Sequence, residues 1–447
     1  MQKQLSTYYS QSDVGAPQDV ISSRRNHAPG GALRHRGKAA GRLRRFPDGG
    51  AFSRSYARWV SANSLPPRRP RVLIAGGGVA ALEAALALYD LAADRLEVEL
   101  CSPHSEFVYR PFAVGEPYGA ASILRYDLGA LAGQIGASFR LGGIFSVDTG
   151  AGQVTARDGE QIPYDYLMIA SGARMLWAVP GAVTFWGVAD EGGVAGVVRK
   201  LRAGILRDVV FTMPGGHSWG LPLYELALLG STVLAKSGIE DARLTVVTPE
   251  DAPLELFGRA VAERMGHLLG ERGIEVVTGV HPVEFEGGRL RIAPGEPIET
   301  EAVISLPRLE GRRIDGLPVE ADGFLRVDEH CRVVGAERVF AAGDVSAFPV
   351  KQGGIATQQA DTAAEAIASA AGCEVEPAPF DPVLRGVLWT GEEPRYLYGR
   401  LTGGHGEVSE LSEAPLWPGP DGKIVGRYLS PFLAGLPESE KRAPITS

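Results

Sequence analysis

Cysteine is scarce in this 447-residue chain: Cys101, Cys331 and Cys373 are odd in number and far apart. That excludes a disulfide framework and any CxxC metal or redox pair, and it fits a reducing, cytoplasmic compartment. Long apolar runs are also missing. No stretch approaches the roughly 18 consecutive apolar residues that would read as a membrane span, which leaves peripheral contact as the way to meet a membrane. The histidines fall in no His, Cys and carboxylate cluster with metal-ligand spacing, so no metal is expected. Nor does the order of residues argue for a Ser, His and Asp triad.

What is present is an ordinary globular mixture, 45% hydrophobic and 22% charged, long enough for two or three domains. Its net charge of -8 hides an asymmetry. Residues 1–70 carry 13 Lys and Arg against 3 Asp, a net +10, so residues 71–447 carry a net -18. The first 70 residues are rich in Gly, Ser and Pro without sustained periodicity, and we read them as a disordered basic extension. They contain no apolar segment of the kind a secretory signal needs after its charges. A solvated tail is the simpler reading, and no nucleic-acid partner is expected.

From Arg71 onward strand and helix patterns alternate, the signature of a parallel sheet covered on both faces. Arg71 to Ala75 reads as the first strand, Ala80 to Ala92 as a buried helix, and Tyr164 to Ala170 as a later strand ending at Ser171-Gly172. A second unit of the same kind begins near Pro180-Gly181, with a strand from Asp208 to Met213 and a helix from Pro222 to Lys236. The chain then returns, with a strand at Val339 to Ala342 and a helix from Gly354 to Ala371. The expected class is α/β: two Rossmann-like doubly wound domains, the second inserted in the first, plus a small C-terminal cap. We divide the chain into 71–180 with 306–372, the insert 181–305, and the cap 373–447.

Gly76-Gly77-Gly78-Val79-Ala80-Ala81 matches the dinucleotide fingerprint GxGxxA between a strand and a helix. Gly76 permits the tight turn, Gly78 lets a pyrophosphate approach the backbone, and Ala81 lets the helix pack closely. The acidic residue expected to hold a ribose at the end of the second strand is replaced by Cys101-Ser102, so Ser102 takes that role. The second strand-helix turn reads Pro214-Gly215-Gly216-His217-Ser218-Trp219-Gly220-Leu221-Pro222. It lacks the glycine spacing, and Trp219 crowds the place of a pyrophosphate.

The Gly76 fingerprint, the Ala170-Ser171-Gly172 strand end and the segment Val339 to Asp344 together resemble the two-dinucleotide-binding-domain flavoproteins, the pyridine nucleotide-disulfide oxidoreductase superfamily. The loop Glu106 to Phe112 resembles the flavin-contacting segment of the sulfide:quinone oxidoreductase, flavocytochrome c sulfide dehydrogenase and type II NADH dehydrogenase branch. The resemblance implies non-covalent FAD held by Gly76, Gly77, Gly78, Val79, Ala80, Ser102, Arg110, Ala170, Ser171, Gly172, Gly343 and Asp344. It places Asp344 on the ribityl chain and the helix start at Gly354-Ile355 toward the flavin's pyrimidine edge. There a helix amino terminus would favour the charge of the reduced flavin.

The chain departs from that branch at its thiols. No redox cysteine pair stands between Gly78 and Leu100, Trp219 occupies the loop where a sulfide-oxidising relative has cysteine, and Val345 to Pro349 has none. Persulfide and dithiol chemistry are therefore disfavoured. Lys351 becomes the candidate catalytic residue, as a cation beside the reduced flavin or a substrate carbonyl; a surface lysine capping a loop is the alternative. His217 has a similar ambiguity between acid or base and a solvated loop residue.

The expected function is transfer of two electrons from a small reductant through FAD to a quinone or another diffusible acceptor. One alternative is an NAD(P)H:acceptor reductase with an unorthodox nicotinamide site. Another is a flavin-bearing binding or scaffold protein whose second site has decayed. A monomer or homodimer, cytoplasmic or peripheral to a membrane, fits each.

Overall fold

The strand Arg71–Ala75 is apolar on both faces and buried throughout except at its first residue, which demands a place inside a sheet. It lies at the centre of a five-stranded parallel sheet in the order Val339–Ala341, Tyr166–Ile169, Arg71–Ala75, Glu97–Ser102, Ser138–Leu141. The structure is a computed structural model describing residues 68–92, 94–187, 192–401, 408–419 and 422–437. The basic extension expected over residues 1–70 lies almost wholly outside them.

Helix α1 (Val79–Ala92) carries few polar residues and packs against α6 (Gly353–Ala370). Both are alanine-rich at the contact, with Ala80, Ala84, Ala360, Ala363 and Ala364 all buried in one core, so small side chains let the helix backbones approach. Helix α2 (Leu128–Ile135) is capped by the Asp127 carboxylate, which accepts from the Ala130 N–H at 2.8 Å.

A second parallel sheet takes its strands from chain between Tyr166–Ile169 and Val339–Ala341. Its order is Val183–Thr184, Ala302–Ser305, Asp208–Thr212, Arg243–Val247, Ile274–Val277. Helices α3 (Val194–Arg202), α4 (Leu221–Ser237) and α5 (Arg259–Glu271) belong to it. Antiparallel strands Ala173–Leu176 and Arg308–Gly311 pair where the chain leaves and re-enters the first sheet. Two doubly wound sheets, one interrupting the other, are the expected class.

The C-terminal part is a three-stranded antiparallel sheet, Val383–Leu388, Arg395–Arg400 and Ser409–Ser412, followed by the short helix α7 (Leu429–Gly435). The segment entering α7 is fixed to the first sheet's helical layer by Glu83 of α1. That carboxylate accepts from the backbone N–H of Tyr428 at 2.8 Å and of Leu429 at 2.7 Å. Asp361 of α6 lies beside Glu83, and burial together with the neighbouring carboxyl pushes Asp361 well above the ordinary carboxylate range. Among the described residues no helix is long and apolar enough to cross a membrane.

Candidate functional site

The first crevice forms at the carboxyl ends of the central strands, the usual ligand position in an open α/β sheet. Gly76 ends Arg71–Ala75, and its N–H donates to the Cys101 carbonyl at 2.9 Å. A Cβ on Gly76 would strike the Ala170 carbonyl, so only glycine lets these two strand ends meet. Beside it Gly77 faces Ser102: a Cβ there would stand 2.7 Å from the Ser102 Oγ. That hydroxyl is buried and accepts from the His104 N–H at 3.2 Å. Gly78 and Gly172 open onto free space, with nothing within 4 Å of a Cβ built on either. Val79 and Ala80 then start α1.

The return strand Val339–Ala341 brings a second glycine to the same place. Gly343 has φ 80°, and a Cβ on it would lie 3.2 Å from that of Ala80 and 3.3 Å from that of Ala356. The amino ends of α1 and α6 therefore converge on Gly343, and both present the positive end of a helix dipole. Polar contacts invisible in the linear pattern hold this turn. The Gly343 N–H donates to Gln359 Oε1 at 2.8 Å, and the Ser346 hydroxyl lies 2.9 Å from the Gly343 carbonyl. Asp344 follows, partly buried, and accepts no hydrogen bond from the described residues. Burial pushes its carboxyl up, while Lys351 and Arg110 pull it down.

Lys351 is no surface lysine. It is 5% exposed, donates to the Ser346 carbonyl and sits 3.7 Å from the Phe324 ring centroid. Burial drives it down to about 7, against the attraction of Asp344, Asp322 and Glu320. His217 also packs on Phe324, ring to ring at 4.6 Å. Its Nε2 lies 3.2 Å from the Ala347 carbonyl and its Nδ1 3.4 Å from the Asp322 carboxylate. A neutral imidazole has one N–H for these two acceptors; burial and the Lys351 charge nonetheless push His217 below its ordinary value.

One expectation needs correction at α6. The Ile355 N–H, expected to face the flavin, donates to its own N-cap, Gln352 Oε1, at 3.2 Å. The Ala356 N–H is bonded to the Gln352 carbonyl at 2.9 Å. Gly353 and Gly354 are the first-turn amides not used by this cap.

These residues fit a flavin dinucleotide. Open backbone at Gly78 and Gly172 matches a pyrophosphate's approach, and the buried Ser171 Oγ has no partner among the described residues. Arg110, at the start of the 3-10 turn Arg110–Tyr118, forms no ion pair among the described residues and feels the Asp344 charge. Arg312 is a residue the sequence did not reveal. The pairing of Ala173 with Gly311 sets it next to Gly172 across the two-stranded ladder. It is held below its ordinary value by burial and by Arg174, Arg110 and Arg157, a cluster of like charge suited to an anion.

The thiols take no part in this arrangement. Cys331 is fully buried, while Cys101 lies against the Gly142 carbonyl at 3.3 Å and is pushed up to about 11 by burial. Both are poor nucleophiles. Among the described residues no group of three His, Cys, Asp or Glu side chains could hold a metal.

The family model for pyridine nucleotide-disulphide oxidoreductases matches residues 70–370. An NADH dehydrogenase-like protein of Mycobacterium tuberculosis is 28% identical over 305 residues, covering 62% of this chain and 73% of that protein. The sulfide-quinone reductase of Aquifex aeolicus is 27% identical over 222 residues, 47% of this chain and 50% of that one. Among solved structures, the sulfide:quinone oxidoreductase of Aquifex aeolicus superposes with a TM-score of 0.66 at 20% identity, covering 77% of this chain and 87% of that one; this likeness speaks to the fold. With the crevice, the paired sheets and the family match in agreement, the chain belongs to the pyridine nucleotide-disulphide oxidoreductase family and is an FAD-binding oxidoreductase.

Proposed function

We propose that the protein passes two electrons from a small reductant through non-covalent FAD to a quinone or another diffusible acceptor. The observation that carries this reading is Lys351, a buried amine near Asp344 at the entry to α6, together with Cys101 and Cys331 being buried and poor nucleophiles. FAD, when bound, supplies the two-electron chemistry. The chain's own residues bind and tune it. The backbone from Gly76 to Ala80 receives the pyrophosphate, with Arg110 adding charge, and Ser102 meets the adenosine ribose. Ala170, Ser171 and Gly172 would line the crossing, Asp344 would accept from the ribityl hydroxyls, and Gly343 keeps both helix ends close. Gly354 in the first turn of α6 and the Lys351 ammonium stabilise negative charge on the reacting side.

The test is spectroscopic and kinetic. Purified protein should carry flavin, and reduced flavin should be reoxidised by a soluble quinone under anaerobic conditions. A preparation that neither contains nor takes up FAD overturns the reading.

A second reading, an NAD(P)H:acceptor reductase, draws support from the names of relatives. Besides the mycobacterial protein, the alternative NAD(P)H-ubiquinone oxidoreductase C1 of Arabidopsis thaliana is 28% identical over 358 residues. The scaffold alternative is set aside by membership of a family of oxidoreductases. For either enzyme reading we propose a cytoplasmic monomer or homodimer, with any membrane contact peripheral.

A further inference from the structure

We infer that the loop Pro214 to Gly220 of the second sheet is a wall of the flavin site and no nucleotide cradle, so that the reductant is a small molecule lacking a dinucleotide. This rests on the flavin reading above and selects between its two donors. Three observations carry it.

First, the loop is stitched to the segment that follows Asp344. The Ser218 N–H donates to the Pro349 carbonyl at 3.3 Å, and the Lys351 N–H donates to the Ser218 carbonyl at 3.2 Å. His217 adds its contact with the Ala347 carbonyl at 3.2 Å. A dinucleotide cradle needs free backbone amides and close backbone approach at this turn. Here the Ser218 amide is spent on the protein, and the chain lies against the segment leading to Lys351.

Second, the helix start behind the loop is poor in donors. Helix α4 begins at Leu221, and Pro222 contributes no N–H. The Leu223 N–H is bonded to the Gly220 carbonyl at 3.0 Å. The Trp219 ring packs 5.7 Å from that of Phe257, against the core of this domain.

Third, the acid that should receive a ribose is turned inward. In a dinucleotide domain a carboxylate just beyond the second strand accepts the ribose hydroxyls. In this sheet the position level with Ser102 of the first is Thr248, and the first carboxylate after Arg243–Val247 is Glu250. It is 7% exposed, and its Oε2 accepts from the Tyr224 hydroxyl and, at 3.1 Å, from the Thr248 hydroxyl. Its Oε1 would stand 3.4 Å from a Cβ on Gly220, against the amino end of α4. The carboxylate is thus bonded to its own domain, and it fills space beside the helix start.

Anaerobic titration of the FAD-loaded protein with NADH and with NADPH tests the inference, alongside equilibrium dialysis of each nucleotide. We expect no loss of the flavin absorbance band beyond the buffer control and no saturable binding, while dithionite bleaches the band and a soluble quinone restores it. Saturable bleaching, or saturable retention of either nucleotide at micromolar concentration, overturns the inference even where quinone reoxidation succeeds. Failure to hold FAD overturns the functional reading instead, and dialysis of nucleotide against that same protein still decides the present point.

Discussion

The Lys423 ammonium and the Glu225 carboxylate form an ion pair whose side chains are 6% and 1% exposed. The Trp389 backbone N–H donates to the same carboxylate at 2.8 Å, and the ammonium stands 4.5 Å from the Trp389 ring centroid. Burial pushes Glu225 up and Lys423 down, and their mutual attraction opposes both shifts. The pair joins α4 of the second sheet to two separate C-terminal segments. Removing one partner strands a buried charge, so Lys423→Met should cost roughly 3–5 kcal/mol. Replacing both, as Lys423→Met with Glu225→Leu, should recover most of that loss. Urea midpoints of the wild type, Lys423→Met and the double variant decide; Lys423→Met as stable as the wild type would count against the pair.

Asp344→Ala should keep the fold and lose the flavin. A hydrogen bond to a charged group contributes roughly 1.5–3 kcal/mol, which corresponds to a FAD affinity about 10–100-fold weaker. Quenching of flavin fluorescence on titrating apoprotein measures it. Unchanged affinity would remove Asp344 from the cofactor site.

Lys351 sets a pH dependence. Its folded value near 7 means that the ammonium is present below that pH and neutral above it. Turnover that needs the cation should therefore fall as pH rises through about 7. Lys351→Met should flatten this limb and slow turnover by about 10²-fold, a magnitude typical of losing one electrostatic stabiliser. Lys351→Arg, always charged, should move the fall to higher pH. An unchanged profile in the Met variant would leave Lys351 a purely structural residue.

Asp361 should make stability fall with rising pH. Its folded value lies above the ordinary 3.8, so through that window the folded protein holds a proton that the unfolded chain has released. Unfolding then releases a proton, and raising the pH favours the unfolded state. Asp361→Asn removes the ionisation and should reduce the loss of Tm between about pH 4 and pH 8. Parallel melting curves from mildly acidic to slightly alkaline buffers would show it.

The strand and helix order was legible because a parallel sheet buried on both faces leaves uninterrupted apolar runs such as Val72 to Ala75, broken by glycine where the chain turns. Gly76 and Asp344 stood out for the same reason: each ends such a run with a residue that packing does not ask for. The supports of the site did not stand out. Gln359 and Ser346 sit on a helix and a loop where polar residues are unremarkable, and only the tertiary fold turns them toward Gly343. Glu83 and Asp361 read as incidental polar positions on alanine-rich helices, yet they meet because those helices pack face to face. Arg312 becomes visible only through a ladder register. Lys351 was legible as a candidate, but its burial against Phe324 was not, since Phe324 is 27 residues earlier in the chain.

The hydrogen bonds between Ser218 and the chain at Pro349 and Lys351 run from backbone to backbone, and this has a practical meaning for protein engineering. Side-chain replacement at Ser218 leaves both the donor and the acceptor in place, proline excepted, so conventional saturation mutagenesis would largely miss this junction. A redesign that seeks a different electron donor would have to change loop length, by inserting or deleting residues between Met213 and Leu221.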